Sequence, residues 1–263
     1  MLKPKKSLGQ NFLRDENTLR KIAEAVAIGP TDVIVEIGPG TGALTKHLVG
    51  RCKSLTVIEI DKRAVALLTE QFGNRIRIIQ EDVLKVEFSS LGSDLVVVGN
   101  IPYYITSDFL FQLFNAHRAI NSATLMMQSE VAQRLTAKPR TKEYGILTVL
   151  TALYAQPQVI FKVSRNVFFP RPNVDSSVVR LEMRNALPYA DELLFRNVVR
   201  IAFGQRRKTL KNALSKLGLT AEQFSDLEFD FSRRAEELAL EDFIELCTLL
   251  VPLRPALTLP FAL

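Results

Sequence analysis

The stretch Val33–Thr45, VIVEIGPGTGALT, restricts the fold more than any other part of this chain. Val33–Ile37 is a short apolar run of the kind that forms a strand buried on both faces. Gly38-Pro39-Gly40-Thr41-Gly42 follows as a glycine-rich turn, and Ala43–Val49 then spaces its apolar residues helically. Glycine lets backbone approach a bound molecule closely, because no Cβ intervenes. A strand, a glycine turn and a helix in this order predict a doubly wound α/β sheet with a nucleotide-like ligand at the turn.

The spacing is G-x-G-x-G rather than the G-x-G-x-x-G of dinucleotide sites, and no Lys-Ser/Thr follows as in a phosphate loop. Glu36, near the strand end, would also repel a pyrophosphate. A cofactor without phosphates, such as S-adenosylmethionine, suits both features; the glycines alone also fit a tight turn with no ligand. Leu55–Glu59 reads as a second strand ending in an acid, about 20 residues past the turn, where such folds place a carboxylate on ribose hydroxyls. Ile76–Ile79 is a third strand, followed by Glu81-Asp82-Val83, whose carboxylates can accept from an exocyclic amine.

The remaining pattern completes an α/β domain. Asp15 is a plausible cap for a helix with Leu19, Ile22, Ala23 and Val26 on one face. Leu95–Val98 and Ala123–Met127 are further strands of the parallel series. Gln158–Val163 and Ser176–Met183 are strand-like too, and their spacing suggests an antiparallel addition at the sheet edge. The expected fold is therefore a Rossmann-like, seven-stranded methyltransferase sheet over residues 1–185. A small all-helical domain follows over 186–263, with helices at 191–203, 206–217 and 239–251 and a capping box at Thr220–Gln223. The polar segment Pro139–Glu143 reads as a mobile loop.

Charge is unevenly distributed. The formal net charge is +6, and Arg200, Arg206, Arg207, Lys208, Lys211 and Lys216 supply six positive charges in a stretch without an acid. Lys3, Lys5, Lys6 and Arg14 form a second acid-free segment. Segments of one sign point to a polyanion, here nucleic acid, whereas solvated helix faces usually mix signs. Cys52 and Cys247 are too few for a disulfide scaffold and fit buried thiols of a cytoplasmic protein. With only His47 and His117 and no Cys/His cluster, no metal is expected. No apolar run is long enough for a membrane span, and the basic start lacks the apolar core of a secretion signal.

Asn100-Ile101-Pro102-Tyr103 follows the fourth strand directly, where open α/β sheets carry out their chemistry. An adenine exocyclic amine is a poor nucleophile because its lone pair is delocalised into the ring. The Asn100 side-chain carbonyl and the Ile101 backbone carbonyl could accept its two N–H bonds and draw the nitrogen toward tetrahedral geometry. Pro102 restricts the turn, and Tyr103 offers a ring on which a flipped base stacks. A plain β-turn is the alternative, since Asn and Pro are turn residues.

These motifs, in this order, resemble the KsgA-type small-subunit ribosomal RNA adenine dimethyltransferases nearly end to end. The resemblance rests on Gln10–Leu13, Glu36–Gly42, Glu59–Asp61, Glu81–Val83, Asn100–Tyr103, Phe168–Ser176 and Phe203–Leu210. It implies that Gln10, Asn11, Leu13, Gly38, Gly40, Glu59, Ile60, Asp82, Val83 and Asn100 contact S-adenosylmethionine. It implies that Phe168 closes the target base against Tyr103, and that the helical domain binds RNA. It implies dimethylation of two adjacent adenosines in the 3′-terminal hairpin of small-subunit rRNA, by a monomer acting on the subunit. Ala239 departs from a helix-capping Ser common in that family. The macrolide-resistance dimethyltransferases share the catalytic motifs but act on large-subunit rRNA, and generally lack Arg206–Leu210. DNA adenine or protein glutamine enzymes more often show Asn-Pro-Pro-Tyr. A ribosome-assembly or transcription factor using the fold only to bind is the non-enzymatic alternative.

Overall fold

The computed structural model describes residues 2–260, so the outermost ends of both expected domains lie outside the described residues. Among these, nine strands occur: β1 (Phe12–Leu13), β2 (Val33–Ile37), β3 (Ser54–Ile58), β4 (Arg77–Ile79), β5 (Leu95–Asn100), β6 (Ile120–Gln128), β7 (Ala155–Val163), β8 (Phe168–Phe169) and β9 (Ser176–Met183). The α-helices are α1 (Glu16–Ala25), α2 (Thr45–Leu48), α3 (Lys62–Phe72), α4 (Thr106–Asn115), α5 (Ser129–Leu135), α6 (Ile146–Tyr154), α7 (Glu192–Gly204), α8 (Leu210–Leu214), α9 (Ala221–Asp226) and α10 (Leu240–Leu250).

Seven strands make one sheet in the order β4-β3-β2-β5-β6-β9-β7, and β1 pairs with β8 in a separate ribbon. The first five run parallel and β9 runs antiparallel to both its neighbours. The expected antiparallel addition at the edge is the pair β9 and β7, with β9 lying between β6 and β7. The edge is β7, which carries Pro157 where a missing N–H is tolerated. Ile34, Val35, Val97 and Val98 are all fully buried, as strands covered on both faces require. The α1 helix buries Leu19, Ile22 and Ala23, each large aliphatic contributing about 1.5–3 kcal/mol. Asp15 caps it by accepting from Thr18 N at 2.7 Å.

The chain divides into two compact units, 1–132 with 155–185, and 133–154 with 186–263. The sequence-based division at 185 therefore omits one exchange: the crossover from α5 through α6 belongs to the helical unit. The reason is its composition, since α6 is mostly apolar, buries six of its nine residues and needs cover from other helices. Within that unit Phe195, Phe203 and Phe243 form a ring cluster with centroids 6.0–6.3 Å apart. Arg196, only 2% exposed, donates from Nε to the Tyr154 hydroxyl at 2.7 Å, and that hydroxyl donates to Glu192 Oε2 at 2.6 Å. Ala239 offers no capping side chain, and Asp242 offsets this by accepting from Ala239 N at 2.7 Å while held by Arg233.

Candidate functional site

Strand register sets the site. Ile37 pairs with Ile58 and with Gly99, and Ile58 pairs with Ile79. Parallel strands that end in one layer deliver whatever follows them to one place, so Gly38, Glu59 and Asn100 converge. Gly38 N donates to Ile58 O at 2.9 Å, and Glu59 N to Ile79 O at 3.0 Å. The turn needs its glycines: Gly38, Gly40 and Gly42 have φ of 61°, 55° and 75°. A Cβ on Gly40 would also stand 2.8 Å from the Phe12 ring. The helix after the turn is shorter than its pattern predicts, with only Thr45–Leu48 helical, because residues 40–44 are spent in the turn.

These strand ends form the floor of a cavity of about 270 Å³ whose walls include Gln10, Asn11, Leu13, Gly38, Gly40, Glu59, Ile60, Asp82, Val83, Asn100, Ile101, Pro102 and Tyr103. Every residue expected to hold the cofactor is on it. Glu36, Glu59, Glu81 and Asp82 are four acidic residues of its lining, and among the described residues no Lys or Arg lines it.

Each acid has a different environment. Glu59 is 5% exposed; its Oε2 accepts from Gly40 N at 3.0 Å and its Oε1 from Asp61 N at 2.8 Å. Burial raises its pKa, opposed by those two backbone bonds. Asp82 accepts from Leu84 N at 3.0 Å and stays half-exposed at the rim. Glu36 is 2% exposed and its Oε2 has no hydrogen-bond partner. Burial pushes its pKa up to about 8, with the nearby Glu59 charge adding and the Thr45 hydroxyl opposing.

The N-terminal segment closes one wall. Gln10 Nε2 donates to Asp61 Oδ2 at 3.1 Å while its Oε1 accepts from Lys5 N at 2.8 Å. Its amide is therefore a strut, and Asp61, which also caps α3 and pairs with Arg63, is held well below the usual carboxylate range by that guanidinium. Asn100 Nδ2 donates to Asn11 O at 3.1 Å. That bond occupies the amide nitrogen and leaves Oδ1 as the acceptor of a side chain that lines the cavity. Ile101 is 1% exposed and its N donates to Met126 O at 3.1 Å, which anchors the turn to β6. The Tyr103 hydroxyl bonds Ser176 Oγ at 2.9 Å, and burial raises its pKa.

Phe168 differs from expectation. It is 5% exposed, pairs with Leu13 across the β1–β8 ribbon, and packs in the core rather than on the cavity wall. The exposed ring is its neighbour Phe169, over which the Arg14 guanidinium lies 3.9 Å from the centroid. A two-residue ribbon forces this alternation: adjacent side chains face opposite ways.

The basic segment of the helical unit is also redistributed. Residues 205–209 are a turn and not the start of a helix; α8 begins at Leu210. Arg206 is engaged, its Nε 2.7 Å from Glu236 Oε2 and its Nη atoms donating to Thr141 O and Lys142 O at 3.0 Å. Arg200 is half-buried, which lowers its pKa. Arg207, Lys208 and Lys211 are exposed and form no ion pair among the described residues.

Residues 1–250 match the family described as ribosomal RNA adenine dimethylase. The chain belongs to that family. It is 47% identical over 250 residues to the ribosomal RNA small subunit methyltransferase A of Chlorobium chlorochromatii, covering 94% of this chain and 93% of that one. It is 43% identical to the protein of the same name from Moorella thermoacetica, covering 92% and 91%. Among solved structures, a dimethyladenosine transferase from Plasmodium falciparum superposes with a TM-score of 0.80 at 27% identity, covering 93% of this chain and 98% of that one. The 23S rRNA methyltransferase ErmE gives 0.70 at 28%, covering 91% and 99%.

For a dimethylase of this family the sequence reading missed two features. Glu36 enters it only as a charge unfavourable to phosphate; a carboxylate inside an apolar strand was the available signal for a buried, unpartnered acid. Gln10 sits on the cavity wall, but its amide is occupied by Lys5 and Asp61. Among the described residues no group of three His, Cys, Asp or Glu side chains could hold a metal ion, and no helix is long and apolar enough to cross a membrane. Cys247 is buried and Cys52 only half-buried, both as free thiols.

Proposed function

We propose that this chain dimethylates the N6 amines of two adjacent adenosines in the 3′-terminal hairpin of small-subunit rRNA, with S-adenosylmethionine as methyl donor. The observation that carries the reading is Asn100: its Nδ2 is tied to Asn11 O, and its Oδ1 remains an acceptor on a carboxylate-lined cavity. The cavity suits the donor molecule. Its carboxyl groups and lack of Lys or Arg favour a ligand that carries positive charge and no phosphate. Glu36 Oε2, buried and unpartnered, suits an ammonium group. Glu59, at the end of β3, keeps acceptor capacity for ribose hydroxyls, Asp82 for an adenine amine, and the Gly38–Gly40 backbone leaves room for close approach. Bound there, S-adenosylmethionine supplies an electrophilic methyl on a sulfonium.

The chain's own residues make the amine reactive. Asn100 Oδ1 and the Ile101 carbonyl accept the two N–H bonds of the adenine amine and localise its lone pair on nitrogen. Tyr103, fixed through Ser176, supports the base by stacking. The chain needs no dedicated base, because the nitrogen, once methylated and cationic, would release its proton to water. The catalytic domain is assigned to the sheet-bearing unit and RNA holding to the helical unit, through Arg207, Lys208 and Lys211. The protein acts as a cytoplasmic monomer in subunit biogenesis.

Small-subunit specificity is supported by the relatives named small subunit methyltransferase A, which are 41–47% identical to this chain, against 28% for ErmE. The test is transfer of labelled methyl to unmethylated small and large subunits, followed by mapping of the modified nucleotides. Labelling of two adjacent adenosines in the small subunit is expected; labelling of the large subunit alone would overturn the reading, and no transfer to either would favour a binding factor.

A further inference from the structure

The segment between α5 and α6 carries three exposed cations, Lys138, Arg140 and Lys142, and its polar composition predicts mobility. It is instead fastened along its length. Arg206, 64 residues away from Lys142, donates to both the Thr141 and Lys142 carbonyls at 3.0 Å, and its Nε holds Glu236 Oε2 at 2.7 Å. Arg140 N donates to Glu236 O at 2.7 Å, and Thr141 Oγ1 donates to Lys138 O at 2.7 Å. Tyr144, at the end of the loop, is buried and donates to Leu238 O at 2.5 Å. Arg140 itself has φ of 69°, a left-handed conformation that a side chain as large as Arg holds only where its surroundings impose it.

None of these bonds uses a cationic side chain of the loop. The Lys138 and Lys142 ammonium groups have no carboxylate partner among the described residues, and Arg140 reaches Glu237 only at 3.8 Å. Of the nearby acids, Glu236 is occupied by Arg206, Glu237 accepts from Arg234 N at 2.8 Å, and Glu143 is exposed. Arg207 and Lys208 directly follow Arg206, so one guanidinium ties the loop to the start of the second cationic segment. A fixed backbone with exposed cationic side chains is preorganised for a ligand with regularly repeated negative charge, since less ordering entropy is lost on binding.

We propose that the Lys138–Lys142 loop is a second phosphate-contacting element for RNA, and that Arg206 is a positioning residue that holds it beside Arg207 and Lys208. The proposal rests on the RNA-modifying reading above, and takes as its probe whichever purified unmethylated ribosomal subunit the wild-type protein methylates. A wrong choice of subunit in that reading therefore leaves this test intact.

The readout is the salt dependence of subunit binding, with amide hydrogen exchange of the RNA-free protein beside it. Combined Lys138→Ala, Arg140→Ala and Lys142→Ala should lower the slope of log K against log salt by about 2, at roughly 0.7–0.9 per lost phosphate contact. Arg206→Ala should lower it by more than one contact's worth and speed exchange at the Arg140 amide. Arg206→Lys keeps the charge but not the fork, so it should resemble the alanine variant. Arg207→Ala should cost one contact and leave that exchange unchanged. A wild-type slope in the loop variant, which alters only exposed side chains, would overturn the second element. Wild-type exchange at Arg140 in Arg206→Ala would overturn the positioning role, as would full rescue by Arg206→Lys.

Discussion

The carboxylate-lined cavity of the sheet unit and the cationic surface of the helical unit are built on opposite terms. In the first, Glu36 and Glu59 are buried and Asp82 half-buried, and each acid lies in or just after a strand of the sheet. In the second, charge is exposed, and the backbone beneath it is held by contacts from distant segments. Burial makes a single charge energetically large and geometrically fixed; exposure makes it small, screened and additive. A small cationic cofactor calls for the first arrangement and a long polyanion for the second.

The largest effect that would sharpen this contrast belongs to Glu36. Its native carboxyl holds its proton to about pH 8, whereas the unfolded chain releases it near 4.5. Between those values the unfolded state binds fewer protons, so stability falls as pH rises. The loss approaches roughly 5 kcal/mol at most in the ligand-free protein. Glu36→Gln should abolish it: urea unfolding should find the variant little changed at pH 5 and clearly more stable than wild type at pH 8.5. An equal difference at both pH values would mean that Glu36 ionises normally.

Next comes Asn100. Asn100→Ala removes an acceptor that matters mainly in the transition state, so single-turnover methylation should slow by about 10²–10³ while RNA binding changes little. Near-normal turnover would move the chemistry elsewhere. Glu59→Ala should weaken S-adenosylmethionine binding by roughly 1.5–3 kcal/mol, the scale of a hydrogen bond to a charged group. Unchanged affinity by calorimetry in the folded variant would remove Glu59 from the cofactor site. The smallest effect is on the cationic surface of the helical unit: Arg207→Ala should lower the salt slope of subunit binding by about 0.7–0.9 without altering cofactor affinity. A cofactor effect there would break the separation of the two regions.

How much of this was legible in the sequence follows the same division. The glycine turn, the acids after β3 and β4 and the Asn100 turn could be read because parallel pairing converts the position at a strand end directly into a position on the site. The other cavity-wall residues, Gln10, Asn11 and Leu13 among them, were legible only through the family resemblance. Phe168 was not, because its facing depends on a two-residue pairing with Phe12 and Leu13 from the far end of the unit. Arg206 was not, because its partners Thr141, Lys142 and Glu236 lie 65, 64 and 30 residues away. The inserted position of β9 was missed because strand patterns reveal membership of a sheet, not the order within it. The α6 crossover is a mostly apolar helix, but composition does not say which core receives it.

The insertion of β9 has a consequence for how the protein is made. On the ribosome β6 emerges before β7, and both emerge before Ser176–Met183, yet neither pairs with the other; each pairs with β9. Until residue 183 is available, the two strands present facing edges that are open to any passing strand. Tyr103 likewise waits for Ser176, and the Phe12–Leu13 wall waits for Phe168–Phe169. A nascent chain that stops short of β9 therefore holds most of the methyltransferase sequence but neither a closed sheet nor a finished cavity. Its most vulnerable interval, for aggregation or proteolysis, is the span between completing β6 and completing β9.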